Sequence, residues 1–243
     1  MRSYYIPNGS LALHVLESGE RSTGLPSLLV VGGLWEPAER AIPLLSYLPG
    51  HVVAFSFRGR GLSSTPASGY DLEDHMSDIE AVVNHCGLTN YMVLGFSRGA
   101  AYSLGWSLRH QEQMKGLILV DQPPIHRGMS ADTVEFWSSL VYQQVPLLNY
   151  IRREALQGMG HEAREVDFSA QLPQLIIPVT LFAGRNPESM IPSDISDEVM
   201  EKYRALLPCC TVVEFTQSGH MIPDEEQQKY VTEVERCIAE TIR

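Results

Sequence analysis

The run Tyr91-Met92-Val93-Leu94 passes through Gly95-Phe96-Ser97-Arg98-Gly99 into Ala100-Ala101-Tyr102-Ser103-Leu104, and this stretch decides the fold. The apolar run reads as a buried strand, and the alanine-rich segment reads as a helix. Between them lies a G-x-S-x-G pentapeptide. A serine on a sharp strand-to-helix turn sits at strained backbone angles. Glycines must flank it where any side chain would collide with the neighbouring strand or helix. Such a turn lifts the hydroxyl towards an open cleft and aims the first amides of the helix at whatever the hydroxyl attacks. The stretch therefore predicts a nucleophilic serine, Ser97, and acyl-transfer chemistry. A glycine-flanked turn with a solvated serine has the same spelling, and the strand and helix on either side favour the nucleophile.

On both sides of this turn, short apolar runs alternate with amphipathic stretches. Residues 27–31, 51–55, 116–120, 179–183 and 211–215 are continuous apolar runs, as expected of strands buried on both faces. Residues 3–6 and 11–16 read as an antiparallel pair around Pro7-Asn8-Gly9. Leu72, Met76, Ile79, Val82, Val83 and Cys86 recur at helical spacing, with Glu73, Asp74, Asp78 and Glu80 off that face. Residues 99–110, 196–207 and 225–242 read as further helices. Strands alternating with helices predict an α/β fold with a mostly parallel sheet covered on both faces.

One region breaks the rhythm. No strand is expected from about residue 125 to 172, where helical periodicity is visible over 131–143 and 147–157. The expected organisation is a core from 1 to 124, a helical lid from 125 to 172, and a second core part from 173 to 243. Phe136 and Trp137 are candidates for lining an apolar substrate pocket under that lid, although lid aromatics also serve to pack the lid onto the core.

Composition limits the partners. The chain has 243 residues, 44% apolar and 19% charged, and a net charge of −11. That suits one ordinary core and disfavours nucleic acid and anionic membrane surfaces. Arg58 and Arg60 form a compact basic spot, but beside glycines they are expected to shape a loop. Cys86, Cys209, Cys210 and Cys237 lack metal-ligand spacing, and free thiols in a reducing compartment are expected. Met1-Arg2-Ser3-Tyr4-Tyr5 has no apolar signal core and no run approaches membrane-spanning length, so a cytoplasmic protein is expected.

A nucleophilic serine needs a base, and the base needs an orienting acid. Of the eight histidines, His220 stands out. Ser218-Gly219-His220-Met221 follows the last strand and precedes the last helix, which puts it at the carboxyl edge of the sheet with Ser97. His126, at the entrance to the lid, is the next most exposed to a functional reading.

Ser97 in its pentapeptide, His220 in Ser-Gly-His, Val31-Gly32-Gly33 and Phe57-Arg58-Gly59-Arg60-Gly61-Leu62-Ser63 together resemble the α/β-hydrolase superfamily, in its order of motifs and over essentially the whole chain. The resemblance implies that fold, with the lid as its variable insertion. It also implies an aspartate a few residues after strand 179–183. Here the chain reads Gly184-Arg185-Asn186-Pro187-Glu188-Ser189-Met190-Ile191-Pro192, and Glu188 fills that slot only with a one-residue insertion. The competitor is Asp121, directly after strand 116–120, where some members of the superfamily place their acid. Asp121 is favoured, with Glu188 as the alternative. The expected oxyanion donors are the backbone amides of Leu34 and Arg98. Gly33 and Trp35 are further candidates for the pocket, and the Arg98 side chain is expected to pack or pair locally.

The resemblance implies a serine hydrolase acting on a small to medium, partly apolar carboxylic ester or lactone through an acyl-enzyme. Hydrolysis of a carbon–carbon bond, another acyl transfer, or a ligand-binding accessory protein on the same fold are the alternatives. A serine nucleophile argues against the dehalogenases of this fold, which use aspartate. No cofactor and no metal are implied. The expected partner is a small-molecule substrate, with no nucleic acid and no membrane, for a monomer or homodimer.

Overall fold

The computed structural model describes residues 1–22 and 24–241. The chain runs β1 (Arg2–Asn8), β2 (Leu11–Ser18), β3 (Ser27–Val31), α1 (Ile42–Tyr47), β4 (Val52–Phe55), α2 (Leu72–His85), β5 (Tyr91–Phe96), α3 (Arg98–His110) and β6 (Met114–Val120). It continues through β7 (Ile125–His126), α4 (Ala131–Ser139), β8 (Val141–Tyr142), β9 (Val145–Pro146), α5 (Arg153–Glu162) and β10 (Val166–Asp167). It ends with β11 (Val179–Gly184), α6 (Asp197–Leu206), β12 (Cys210–Phe215), α7 (Ile222–Glu225) and α8 (Gln227–Glu240). Eight strands form one sheet in the order β1-β2-β4-β3-β5-β6-β11-β12. Only the pairings of β2 with β1 and with β4 are antiparallel. The remaining neighbours run parallel and are reached by crossovers, the one from β6 to β11 passing through residues 125–172.

The apolar runs are continuous because both faces of the sheet are covered. Along β5, Tyr91 and Val93 join the core that includes α2 and α3, while Met92, Leu94 and Phe96 join the opposite core with α1 and α8. The stripe on α2 faces the sheet as its spacing predicts, and Asp71 and Asp74 close its N-terminus with a reciprocal capping box. Asp78 corrects the expected polar face of that helix. It is fully buried, because its carboxylate accepts from Arg58 Nε at 2.9 Å and Nη2 at 2.7 Å.

Three further expectations are corrected by tertiary contacts. Strands do occur between 125 and 172: β7 pairs with β10, and β8 with β9 around Gln143 and Gln144, both at positive φ. The helix expected over 147–157 starts only at Arg153, because the chain before it is tied to the arginine loop. Gly61 N donates to Tyr150 O at 2.8 Å and Arg152 N to Gly59 O at 2.8 Å. The helix expected over 225–242 breaks at Glu226, whose carboxylate accepts from Gln217 N and Ser218 Oγ in the preceding loop. Ile242, its expected last residue, lies outside the described residues. Among the described residues no helix is long and apolar enough to cross a membrane.

The start of α3 approaches the sheet too closely for side chains. A Cβ at Gly99 would overlap the Gly32 carbonyl oxygen and stand 2.5 Å from that of Val31. At Gly95 it would stand 2.6 Å from Ala100 Cα. Both obstacles are backbone and cannot rotate away. Gly99→Ala is therefore expected to lower the unfolding free energy by about 3 kcal/mol, the upper end for overpacking. Urea denaturation measures this, and a midpoint equal to wild type would contradict the packing argument.

Candidate active site

Ser97 has φ 54° and ψ −130°, the strained geometry the two glycines predict. Its amide donates to Val120 O at 2.8 Å, which ties the turn to the end of β6. Asp121 follows Val120 directly, also at positive φ (50°), with its amide held by Phe182 O on β11. His220 lies on the loop from β12 to α7. Its amide donates to Ile191 O at 2.8 Å, and Glu225 and Glu226 hold Gly219 N and Ser218 Oγ just before it.

These three side chains, from three separate strand ends, form one hydrogen-bonded row. His220 Nδ1 is 2.7 Å from Asp121 Oδ2, and His220 Nε2 is 2.8 Å from Ser97 Oγ. A carboxylate only accepts, so the Nδ1 proton is the donor to Asp121, and Nε2 accepts from the serine hydroxyl. An imidazole held in this tautomer can take the hydroxyl proton and share the resulting charge with the carboxylate.

Asp121 is fully buried and each oxygen is engaged. Oδ1 accepts from Gly184 N at 3.0 Å and Ser193 Oγ at 2.5 Å, and Oδ2 accepts from Asp194 N at 3.1 Å as well as from the imidazole. The loop after β11, where the resemblance places an acid, thus contributes donors that clasp an acid from the neighbouring strand. Glu188 is not a partner of His220 and is exposed. The loop turns outward at Asn186, whose Oδ1 accepts from Glu188 N at 3.0 Å. Ser193 and the Asp194 amide escape sequence reading, since a loop serine carries no signal until its partner is known.

Leu34 and Arg98 N–H have no protein acceptor among the described residues. Arg60, fully buried, donates from Nε to Leu34 O at 3.0 Å and from Nη1 to Arg58 O at 2.8 Å. It thereby fixes the loop that carries the Leu34 amide, which is the shaping role expected of the two arginines. The His75 imidazole beside Arg60 is held well below the ordinary histidine range by burial and by that guanidinium.

Above Ser97 and His220 lies a cavity of about 430 Å³, lined in part by Leu34, Arg98, Arg127, Phe136 and Trp137. Phe136 is 55% exposed at its edge. Gly33 and Trp35 do not line it. Gly33 is pressed against Phe96, and Trp35 is buried against Tyr142 and Tyr150 with ring centroids 5.4 and 5.8 Å away. Trp35 therefore supports the segment that carries α4 and α5 and does not touch the cavity. The Arg98 side chain does pair locally, donating to Tyr102 Oη at 2.9 Å, His126 Nε2 at 3.2 Å and Arg127 O at 2.8 Å, while also lining the cavity. Among the described residues no His, Cys, Asp and Glu side chains gather into a metal-binding group.

A smaller cavity of about 170 Å³ lies between the loop after β3 and α7–α8, with Glu36, Arg40 and Asp224 on its wall. Burial pushes the Glu36 carboxyl up to about 7, against the pull of Arg40 at 3.3 Å. A raised carboxyl stabilises the fold fully below its ordinary value of 4.5, and that contribution is lost as pH rises through 7. The unfolding free energy of wild type is therefore expected to fall by about 3 kcal/mol relative to Glu36→Gln between pH 4.5 and 8. Parallel pH profiles of the two proteins in urea would show that Glu36 stays ionised.

The alpha/beta hydrolase fold model matches residues 24–157. An AB hydrolase superfamily protein, YisY, from Bacillus subtilis is 24% identical over 213 residues, spanning 73% of this chain and 77% of that one. Other curated relatives match over less than half of their own length. Among solved structures, an esterase from Exiguobacterium antarcticum superposes with a TM-score of 0.77 at 19% identity, covering 97% of this chain and 99% of its own. The enol-lactonase from Burkholderia xenovorans does so with a TM-score of 0.77 at 16% identity, covering 96% and 99%. At these identities the likeness is one of fold.

Proposed function

The chain belongs to the alpha/beta hydrolase fold family, and from that premise we propose that it is a serine hydrolase of small carboxylic esters or lactones. The observation that carries this reading is the row from Asp121 through His220 to Ser97, which opens onto the cavity. In the proposed mechanism His220 removes the Ser97 proton as the hydroxyl attacks the substrate carbonyl. The Leu34 and Arg98 amides receive the oxyanion, and the leaving group departs with a proton from His220. Water, deprotonated by His220, then cleaves the acyl-enzyme. Asp121 keeps the imidazole in the reactive tautomer and stabilises its cation. Residues 125–172 act as the lid, with Phe136 and Trp137 offering apolar surface to the substrate.

Support for the substrate class comes from the apolar lid wall and from folds shared with an esterase and an enol-lactonase. A fluorophosphonate probe tests the reading. It is expected to add one phosphonyl group to wild type, on the peptide that contains Ser97, and none to Ser97→Ala. An unlabelled wild type would instead favour a binding protein on this fold.

A further inference from the structure

Arg98 presents a charge without a counter-charge. Its guanidinium is half-buried in the cavity wall, one residue after Ser97, and no carboxylate lies within 4 Å of it among the described residues. Its protein partners are a phenol oxygen, a ring nitrogen and a backbone carbonyl, all neutral. The ring nitrogen is necessarily neutral. His126 Nδ1 donates to Arg164 O at 2.8 Å, which leaves Nε2 as an acceptor, and burial and Arg98 push this imidazole down to about 4. These contacts hold the guanidinium in place and, among the described residues, leave its Nη1 without a protein acceptor.

A second cation completes the wall. Among the described residues the Arg127 side chain reaches only Asp194, at 3.4 Å, in a pair with both side chains about half exposed. Such a pair contributes little and is easily exchanged for a better one. Arg60 adds a third positive charge beneath Leu34, again without a carboxylate partner. A partly desolvated cation is stabilised by an anion, and a guanidinium binds a carboxylate through parallel charge-assisted hydrogen bonds. In a chain of net charge −11, two arginines line this one cavity and a third, Arg60, is buried behind Leu34.

We propose that the cavity accepts a substrate bearing a free carboxylate, which Arg98 and Arg127 hold beside the carbonyl attacked by Ser97. The substrate is then the half-ester of a short dicarboxylic acid, or a lactone with a carboxylate arm. On binding, its carboxylate takes the place of Asp194 at Arg127 and occupies the open side of Arg98. The seat rests on the hydrolase reading for its chemistry, but its recognition of charge can be tested without turnover.

The test compares monomethyl succinate with methyl 4-oxopentanoate, in which a methyl ketone stands where the carboxylate was. Calorimetric binding to Ser97→Ala is expected to favour the half-ester by at least tenfold, as charge-assisted hydrogen bonds predict. That preference should shrink with added salt and vanish in Ser97→Ala carrying Arg98→Gln and Arg127→Gln, with Arg98→Lys restoring part of it. Circular dichroism on each variant separates lost recognition from lost fold. Equal affinity for the two esters, or no measurable binding of the half-ester, overturns the proposal. Tenfold preference without any hydrolysis by wild type leaves the carboxylate seat standing and removes the hydrolase reading. Hydrolysis without preference does the opposite.

Discussion

Ser97→Ala is expected to lower kcat/KM for a hydrolysed ester by about a millionfold while leaving the protein folded. The size follows from the geometry. Among the described residues His220 Nε2 bonds only the serine hydroxyl, at 2.8 Å, so without it the imidazole has no protein nucleophile to activate. The cavity and the two amides proposed to receive the oxyanion remain, and a residual rate over water is expected from them. Among the described residues the imidazole is the hydrogen-bond partner of this side chain, so its removal is expected to leave the fold intact. Steady-state kinetics with thermal unfolding checks both halves. A loss under tenfold, with wild-type stability, would show that Ser97 is not the attacking group.

Asp121→Asn is expected to cost about ten-thousandfold in kcat. The carboxamide can present its NH₂ to His220 Nδ1 only if the imidazole turns its proton to Nε2, which then cannot accept from Ser97. If the oxygen faces the imidazole, the NH₂ meets the donors Gly184 N and Ser193 Oγ. Either orientation leaves buried donors unpaired, so a loss of about 2 kcal/mol in stability should accompany the kinetic effect. Glu188→Gln, at an exposed position outside the row, is expected to change kcat/KM by less than twofold. A large effect at 188 and a small one at 121 would reverse the assignment of the acid.

Most of the architecture was legible because it is encoded locally. The six apolar runs of the parallel sheet, the apolar stripe of α2 and the strained serine between glycines each lie within a few neighbouring residues. Helix boundaries between 147 and 157 and at Glu226 were not legible. There the backbone gives up helical hydrogen bonds to partners about 90 residues away in one case and in the adjacent loop in the other. Asp78 looked like a solvent-facing acid because its partner, Arg58, comes from a different element. Trp35 looked like a pocket residue because it stands beside the oxyanion loop, yet Tyr142 and Tyr150 close over it.

The sequence by itself determined the family of the fold and singled out Ser97 and His220 as candidates, since each sits in a short motif whose chemistry depends on immediate neighbours. Only the tertiary structure decided which carboxylate meets the imidazole. Asp121 and His220 are 99 residues apart, and their contact depends on β6 and β11 running side by side so that Gly184, Ser193 and Asp194 can close around the acid. A buried carboxylate needs such donors, and Glu188, on an outward turn, has none of them.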